Sequence, residues 1–171
     1  LMWVVTGIST GLTQGFSIQL SQYYGAKDFE NLRKSLAHSY RLTAFIAAGV
    51  LILSQSFASL VLTGLHTPSN IIGMSLLYLR IIFCGIPATA AYNMFASALR
   101  AMGNSKTPLT AMIIASVLNV SLDILFVAGF GWGVAGAAIA TVIAQSFSAV
   151  YCFLILRRID IVHLTRADFM P

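Results

Sequence analysis

Five runs of apolar residues, each long enough to cross a lipid bilayer, leave this chain few folds to choose from. They cover roughly residues 1–24, 36–64, 71–99, 109–130 and 132–156. A hydrocarbon core about 30 Å thick needs about 20 helical residues to cross it. The alternating strands of about ten residues that mark a transmembrane barrel do not occur. Lipid offers no water to backbone N–H and C=O groups, so each run must bond to itself as a helix. The expectation is an all-α, polytopic transmembrane helix bundle of about five spanning helices, with the lipid bilayer as its first partner.

Composition closes off the soluble alternative. Only 9% of the 171 residues are charged and 58% are hydrophobic, whereas a soluble domain carries about 25% charged residues. The net charge of +5 comes from ten Lys and Arg. They sit in short clusters between the apolar runs, not on a basic face with interleaved aromatics, so the reading is positive-inside membrane topology and no nucleic acid. Connectors 25–34, 100–108 and 157–168 carry the charges, while 65–70 and 129–133 have no Lys or Arg. The charged side is expected to be cytoplasmic in a multi-pass protein of the cell (inner) membrane, with loops 25–34, 100–108 and 157–171 inside. Arg80 is the exception, about a third of the way into the third run from its outer end.

Other classes are expected to be absent. No nucleophile–base arrangement, phosphate loop or carboxylate pair is present, so no enzyme and no cofactor are expected. Cys84 and Cys152 lie inside apolar runs without ligand spacing and read as buried thiols. The chain starts at Leu1 within an apolar run that lacks signal-peptide features, and both ends read as interior to something longer. Gly7, Gly11 and Gly15, and likewise Gly136, Ala140 and Ala144, form rows of small residues that read as helix-packing faces. Pro87 is expected to bend the third helix. Gln14, Gln19 and Gln22 read as interhelical glue, and His38, His66 and His163 as solvated interface residues.

One acidic residue, Asp123, stands alone between Glu30 and Asp160. Counted from Leu109 it lies about 21 Å up its helix, past mid-membrane. An ionisable group there is unfavourable unless paired, hydrated or protonated, and so points to function; a neutral Asp bonded to a neighbouring helix is the alternative. Asn119 lies four residues earlier on the same face. Thr141, counted back from Leu156, reaches about the same depth on the next helix. Carboxylate, amide and hydroxyl oxygens at one depth suit a small hard cation, Na⁺ among the metals, or a proton relay; Asn and Thr also serve as plain interhelical hydrogen bonders. Tyr78 and Asn93 are possible members of the same network. Tyr78 could reach Asp123 from above, whereas Asn93 is too deep unless the Pro87 bend raises it.

Three stretches carry a family resemblance: GISTGLTQGFSIQLSQYYGAKD, YLRIIFCGIPATAAYNMFASALRAMGNSKTPL and NVSLDILFVAGFGWGVAGAAIATVIAQ. Together they resemble the multidrug and toxic compound extrusion (MATE) family over nearly all of residues 5–158, most specifically at LRAMGNSKTPL and the Asn119/Asp123 helix. The resemblance implies a twelve-helix, two-lobe transporter of which this chain is part of the N-terminal lobe, helices two to six. Helix one and the C-terminal lobe would be its partners within the longer chain. It implies a secondary active antiporter that exports drug-like, often cationic, small organic compounds in exchange for Na⁺ or H⁺. Asn119, Asp123 and Thr141 match three of the family's cation-site residues, and Tyr78 matches a tyrosine of that network. The family's helix-one Asp has no counterpart in this sequence. A lipid-linked oligosaccharide flippase of the same wider superfamily, or a non-transporting membrane subunit, is the alternative.

Overall fold

The computed structural model describes residues 2–64 and 71–159. Six α-helices follow in order: α1 (Met2–Gly25), α2 (Phe29–Gly64), α3 (Ile72–Cys84), α4 (Ile86–Ala101), α5 (Lys106–Asp123) and α6 (Gly133–Arg157). A π-helical segment, Ile124–Gly129, continues α5. Among the described residues, four segments are long and apolar enough to span a membrane: Phe29–Leu60, Ile72–Ala101, Lys106–Gly129 and Gly133–Arg157. The fifth expected span, α1, is a continuous helix of 24 residues.

Two boundaries differ from the sequence reading. The polar connector expected over 25–34 shrinks to residues 26–28, because α2 already starts at Phe29. Charged residues do not end a helix. Here Asp28 Oδ1 accepts the Asn31 N–H at 3.2 Å as an N-cap, and Lys34 pairs with Glu30 at 2.8 Å one turn on. The third span, Ile72–Ala101, is interrupted at one residue, Gly85, two residues before Pro87, which divides it into α3 and α4. Proline has no N–H and its ring crowds the carbonyl four residues back, so it belongs in the first turn of a new helix, where α4 places it.

The turns at the charged end follow from local chemistry. After α4, Gly103 takes φ 81°, and the N–H groups of Gly103 and Asn104 bond back to Arg100 O and Leu99 O at 3.0 and 2.9 Å. That is a Schellman termination. Asn104 Oδ1 then accepts the Thr107 N–H at 3.1 Å and caps α5. The α1–α2 turn repeats the pattern with Lys27 at φ 57°, where glycine would be unstrained.

The buried core mixes leucines such as Leu20, Leu32, Leu99 and Leu156 with many alanines, while large apolar side chains also cover the outside. Ala96, Ala111, Ala138 and Ala140 have no exposed area, while Phe45 is 76% exposed and Val117 65%. In lipid, apolar side chains gain nothing by turning inward, and close helix approach favours small ones there. α6 sits at the centre, packed on α3, α4 and α5, and α1 lies against α2 and α4. The Gly136, Ala140, Ala144 row is buried as expected. For the α1 row, an added Cβ at Gly7, Gly11 or Gly15 would meet nothing within 4 Å among the described residues. Glycine spacing shows that a helix face is smooth, not what lies against it. Cys152 is buried, but Cys84 is exposed and its Sγ accepts a bond from Gln55 Nε2 at 3.3 Å. Gln19 does act as glue, taking a bond from Ser35 Oγ at 3.2 Å. His38 is exposed, as expected. His66, His163 and the side chain of Gln14 lie outside what the structure describes.

Candidate functional site

α4, α5 and α6 line an open cavity of about 390 Å³, where uncharged polar side chains are set among apolar ones such as Met112 and Ala115. Asn119 comes from α5 and Thr141 from α6. Their side chains meet, with Asn119 Nδ2 3.5 Å from Thr141 Oγ1. The Thr141 hydroxyl donates to Ala137 O at 3.0 Å, so its lone pairs face outward from its own helix. Because the Asn119 amide nitrogen points at Thr141, the Asn119 carbonyl oxygen is left to accept from, or coordinate, something else.

Asp123 lies one turn beyond Asn119, at the last α-helical residue before the π segment. Its Oδ1 is buried and has no hydrogen-bond partner among the described residues. Leaving a buried polar atom unmade costs about 1–3 kcal/mol, so the site is short of a donor or a cation. No group of three or more His, Cys, Asp or Glu occurs among the described residues, so any ion would rest on one carboxylate and neutral oxygens.

The π segment explains why the helix changes at this point. Phe130 N–H bonds to Leu125 O and Trp132 N–H to Phe126 O, both at 2.9 Å, in wider loops than an α-helix makes. Phe126 stacks on Trp132 with ring centroids 5.2 Å apart. It also lies over Gly136, where an added Cβ would come within 3.0 Å of Phe126 Cβ. The wider turn thus lets α5 close tightly onto the start of α6 immediately after Asp123.

The other expected members divide. Asn93 lines the cavity, since α4 restarts after the break at Gly85 and brings it alongside Asn119. Tyr78 does not line it; it is half-buried on α3, before the break. Sequence reading passed over Thr89, Gln145 and Ser148, which share the walls. Gln145 and Ser148 follow Thr141 at helical spacing on α6, a periodicity that the sequence displays. Thr89 Oγ1 reaches Gln145 Oε1 at 2.6 Å, the shortest polar contact between helices here among the described residues.

Four long apolar spans among the described residues, packed around a cavity lined by uncharged polar side chains, make this part of a multi-pass helical membrane protein; Asp123 does not line that cavity but lies one turn beyond Asn119 on α5. The chain belongs to the MatE family, whose model matches residues 1–125. It is 32% identical over 160 residues to the probable multidrug resistance protein YoeA of Bacillus subtilis, covering 91% of this chain and 34% of that protein. It is 26% identical over 165 residues to the probable multidrug resistance protein NorM of Thermotoga maritima, covering 92% and 35%. The fold matches a solved inward-facing multidrug resistance MATE family transporter with TM-score 0.91 at 25% identity, covering 98% of this chain and 38% of that one. A MATE crystal structure in a bent conformation matches with TM-score 0.93 at 24% identity, over 99% and 39%. The chain therefore spans about a third of the length of these relatives.

Proposed function

We propose that this chain forms helices two to six of the N-terminal lobe of a secondary antiporter that exports drug-like organic compounds in exchange for Na⁺ or H⁺. The observation that carries the proposal is the buried oxygen of Asp123, without a hydrogen-bond partner among the described residues and one helical turn from the Asn119–Thr141 contact. A carboxylate, a free amide carbonyl and a hydroxyl offer hard oxygen ligands for Na⁺, or a proton acceptor with polar neighbours. Binding of either ion neutralises Asp123 and removes the need for a partner, which lets α5 and α6 repack. The ion drives the exchange only to the extent that it binds the outward and inward states unequally.

The names of the relatives support a drug-like substrate. The cavity wall agrees: no Lys or Arg lines it among the described residues, so it does not favour a pyrophosphate-bearing lipid-linked sugar. Lys27, Arg33, Arg100, Lys106, Arg157 and Arg158 lie at one end of the helices, the end assigned to the cytoplasmic face of the cell membrane.

The test uses the full-length protein carrying Asp123→Asn, assayed for efflux of a fluorescent organic cation under an imposed Na⁺ or proton gradient. Gradient-driven efflux is expected to fall by at least roughly tenfold, since a charged ligand contact is worth about 1.5–3 kcal/mol. Undiminished efflux removes Asp123 from the mechanism.

A further inference from the structure

The break between α3 and α4 leaves a notch at Gly85, and α6 is seated in it. A Cβ at Gly85 would fall 2.9 Å from Val142 Cγ2 and 3.4 Å from Gln145 Oε1, so only glycine lets α6 approach this closely. One turn along α4, Thr89 Oγ1 lies 2.6 Å from Gln145 Oε1 and 3.1 Å from the carbonyl oxygen of Gly85. A hydroxyl has one proton, and the shorter distance assigns it to Gln145. The broken end of α3, the start of α4 and the middle of α6 are therefore held by one buried-side contact.

Thr141 and Gln145 stand four residues apart on α6, on one face and one turn from each other. Both line the polar cavity. Their contacts differ in kind. Thr141 reaches α5 through a long 3.5 Å approach to Asn119, whereas Gln145 reaches α4 through the 2.6 Å bond to Thr89. Gln145 thus ties α6 to α4 one turn from Thr141, close enough to bear on where the Thr141 oxygen sits. An ion that takes the Thr141 oxygen as a ligand therefore pulls on a helix tied to α4 at Thr89.

We infer that Gln145 and Thr89 are a positioning pair for the cation site: their bond holds the Thr141 oxygen where the ion is taken up, and links that uptake to the α3–α4 break. This rests on the cation reading of Asp123, Asn119 and Thr141, but it concerns residues that do not themselves bind the ion.

The experiment takes the full-length protein in detergent and titrates thermal stability with NaCl against choline chloride, and separately with pH. Hydrogen–deuterium exchange of residues 80–90 is followed in the same titrations. Gln145→Leu removes the acceptor at similar size, Thr89→Val removes the donor, and Thr89→Ser keeps it. The ion midpoint is expected to weaken by roughly fivefold in Gln145→Leu and in Thr89→Val, the worth of about one net hydrogen bond. It should weaken no further in the double variant and stay near wild type in Thr89→Ser. The ion-dependent protection of residues 80–90 is expected to be lost in the first two.

A lower melting temperature with an unchanged ion midpoint and unchanged protection means a merely structural bond, and overturns the inference while sparing the cation site. A wild-type protein whose stability answers to neither ion overturns the cation reading, and this inference with it. If Gln145→Leu fails to fold, Thr89→Val and Thr89→Ser decide the matter by the same criteria.

Discussion

α4 separates two cavities of nearly equal size and opposite character. On one side Tyr40, Ala48, Pro87, Ala91, Phe95 and Phe153 line about 400 Å³ of almost wholly apolar space between α2 and α4. On the other, Thr89, Asn93, Asn119, Thr141, Gln145 and Ser148 line about 390 Å³ between α4, α5 and α6. One helix contributes to both, with Pro87, Ala91 and Phe95 facing one way and Thr89 and Asn93 the other. Volume therefore says little about function. In a bilayer an apolar hollow is what loosely matched helices leave behind, and lipid tails or other helices can fill it without specific contacts. A polar hollow at the same level must satisfy each donor and acceptor on its wall, so its residues are committed to one another or to a ligand.

The sharpest way to break this contrast is a pair of bulky apolar substitutions, one per cavity, in the full-length protein. Asn119→Leu removes an oxygen ligand and leaves Thr141 without its α5 neighbour. Cation-driven efflux is expected to drop by roughly tenfold or more. Ala48→Leu, on the apolar side, is expected to leave the cation midpoint unchanged. Equal losses from both would show that the two cavities act as one site.

Next in size are packing effects at the edges of α4. Gly85→Ala drives a methyl to 2.9 Å from Val142 Cγ2 on the polar side. Overpacking of that kind costs about 1–3 kcal/mol, to be read as a lowered midpoint in thermal unfolding. Ala91→Leu, into the apolar cavity, has room to enter and should change stability by less than about 1 kcal/mol. A larger loss at Ala91 than at Gly85 would contradict the assignment of the tight and loose sides.

The smallest effects belong to the α1–α2 turn, which touches neither cavity and serves as their control. Lys27→Gly relieves a left-handed backbone at φ 57° and is expected to stabilise by up to about 1 kcal/mol with transport unchanged. At the same turn, hydrogen bonds from the Asn31 side chain and backbone hold the Asp28 carboxyl below its usual value. A carboxyl lowered in the folded state adds stability above its unfolded value and loses it as pH falls through the folded one. A slight acid-side loss of stability should therefore disappear in Asp28→Asn. It should leave the cation response of the other cavity as it was. Retention of that acid-side loss in Asp28→Asn would trace it to another group.

The helical membrane bundle is legible in the sequence alone, because long apolar runs without charge admit only self-bonded segments in lipid. So is the isolation of Asp123; counting rise per residue sets Thr141 level with Asp123, whereas the structure brings it against Asn119, one turn earlier. The turns at Gly103–Asn104 and Asp28 likewise carry their own instructions in αL and cap residues. Tertiary structure alone decided the rest. Whether the third run bends or breaks depends on what fills the notch, and it is α6 at Gly85 that does. Asn93 reaches the cavity and Tyr78 does not because they sit on opposite sides of that break. The Gly7, Gly11, Gly15 row and the Gly136 row look alike as text, yet only the second is packed within the described residues. The physical reason is the same each time: backbone bonding and spacing act along the chain, whereas which helix faces which is settled only when all the helices compete for the same small interior.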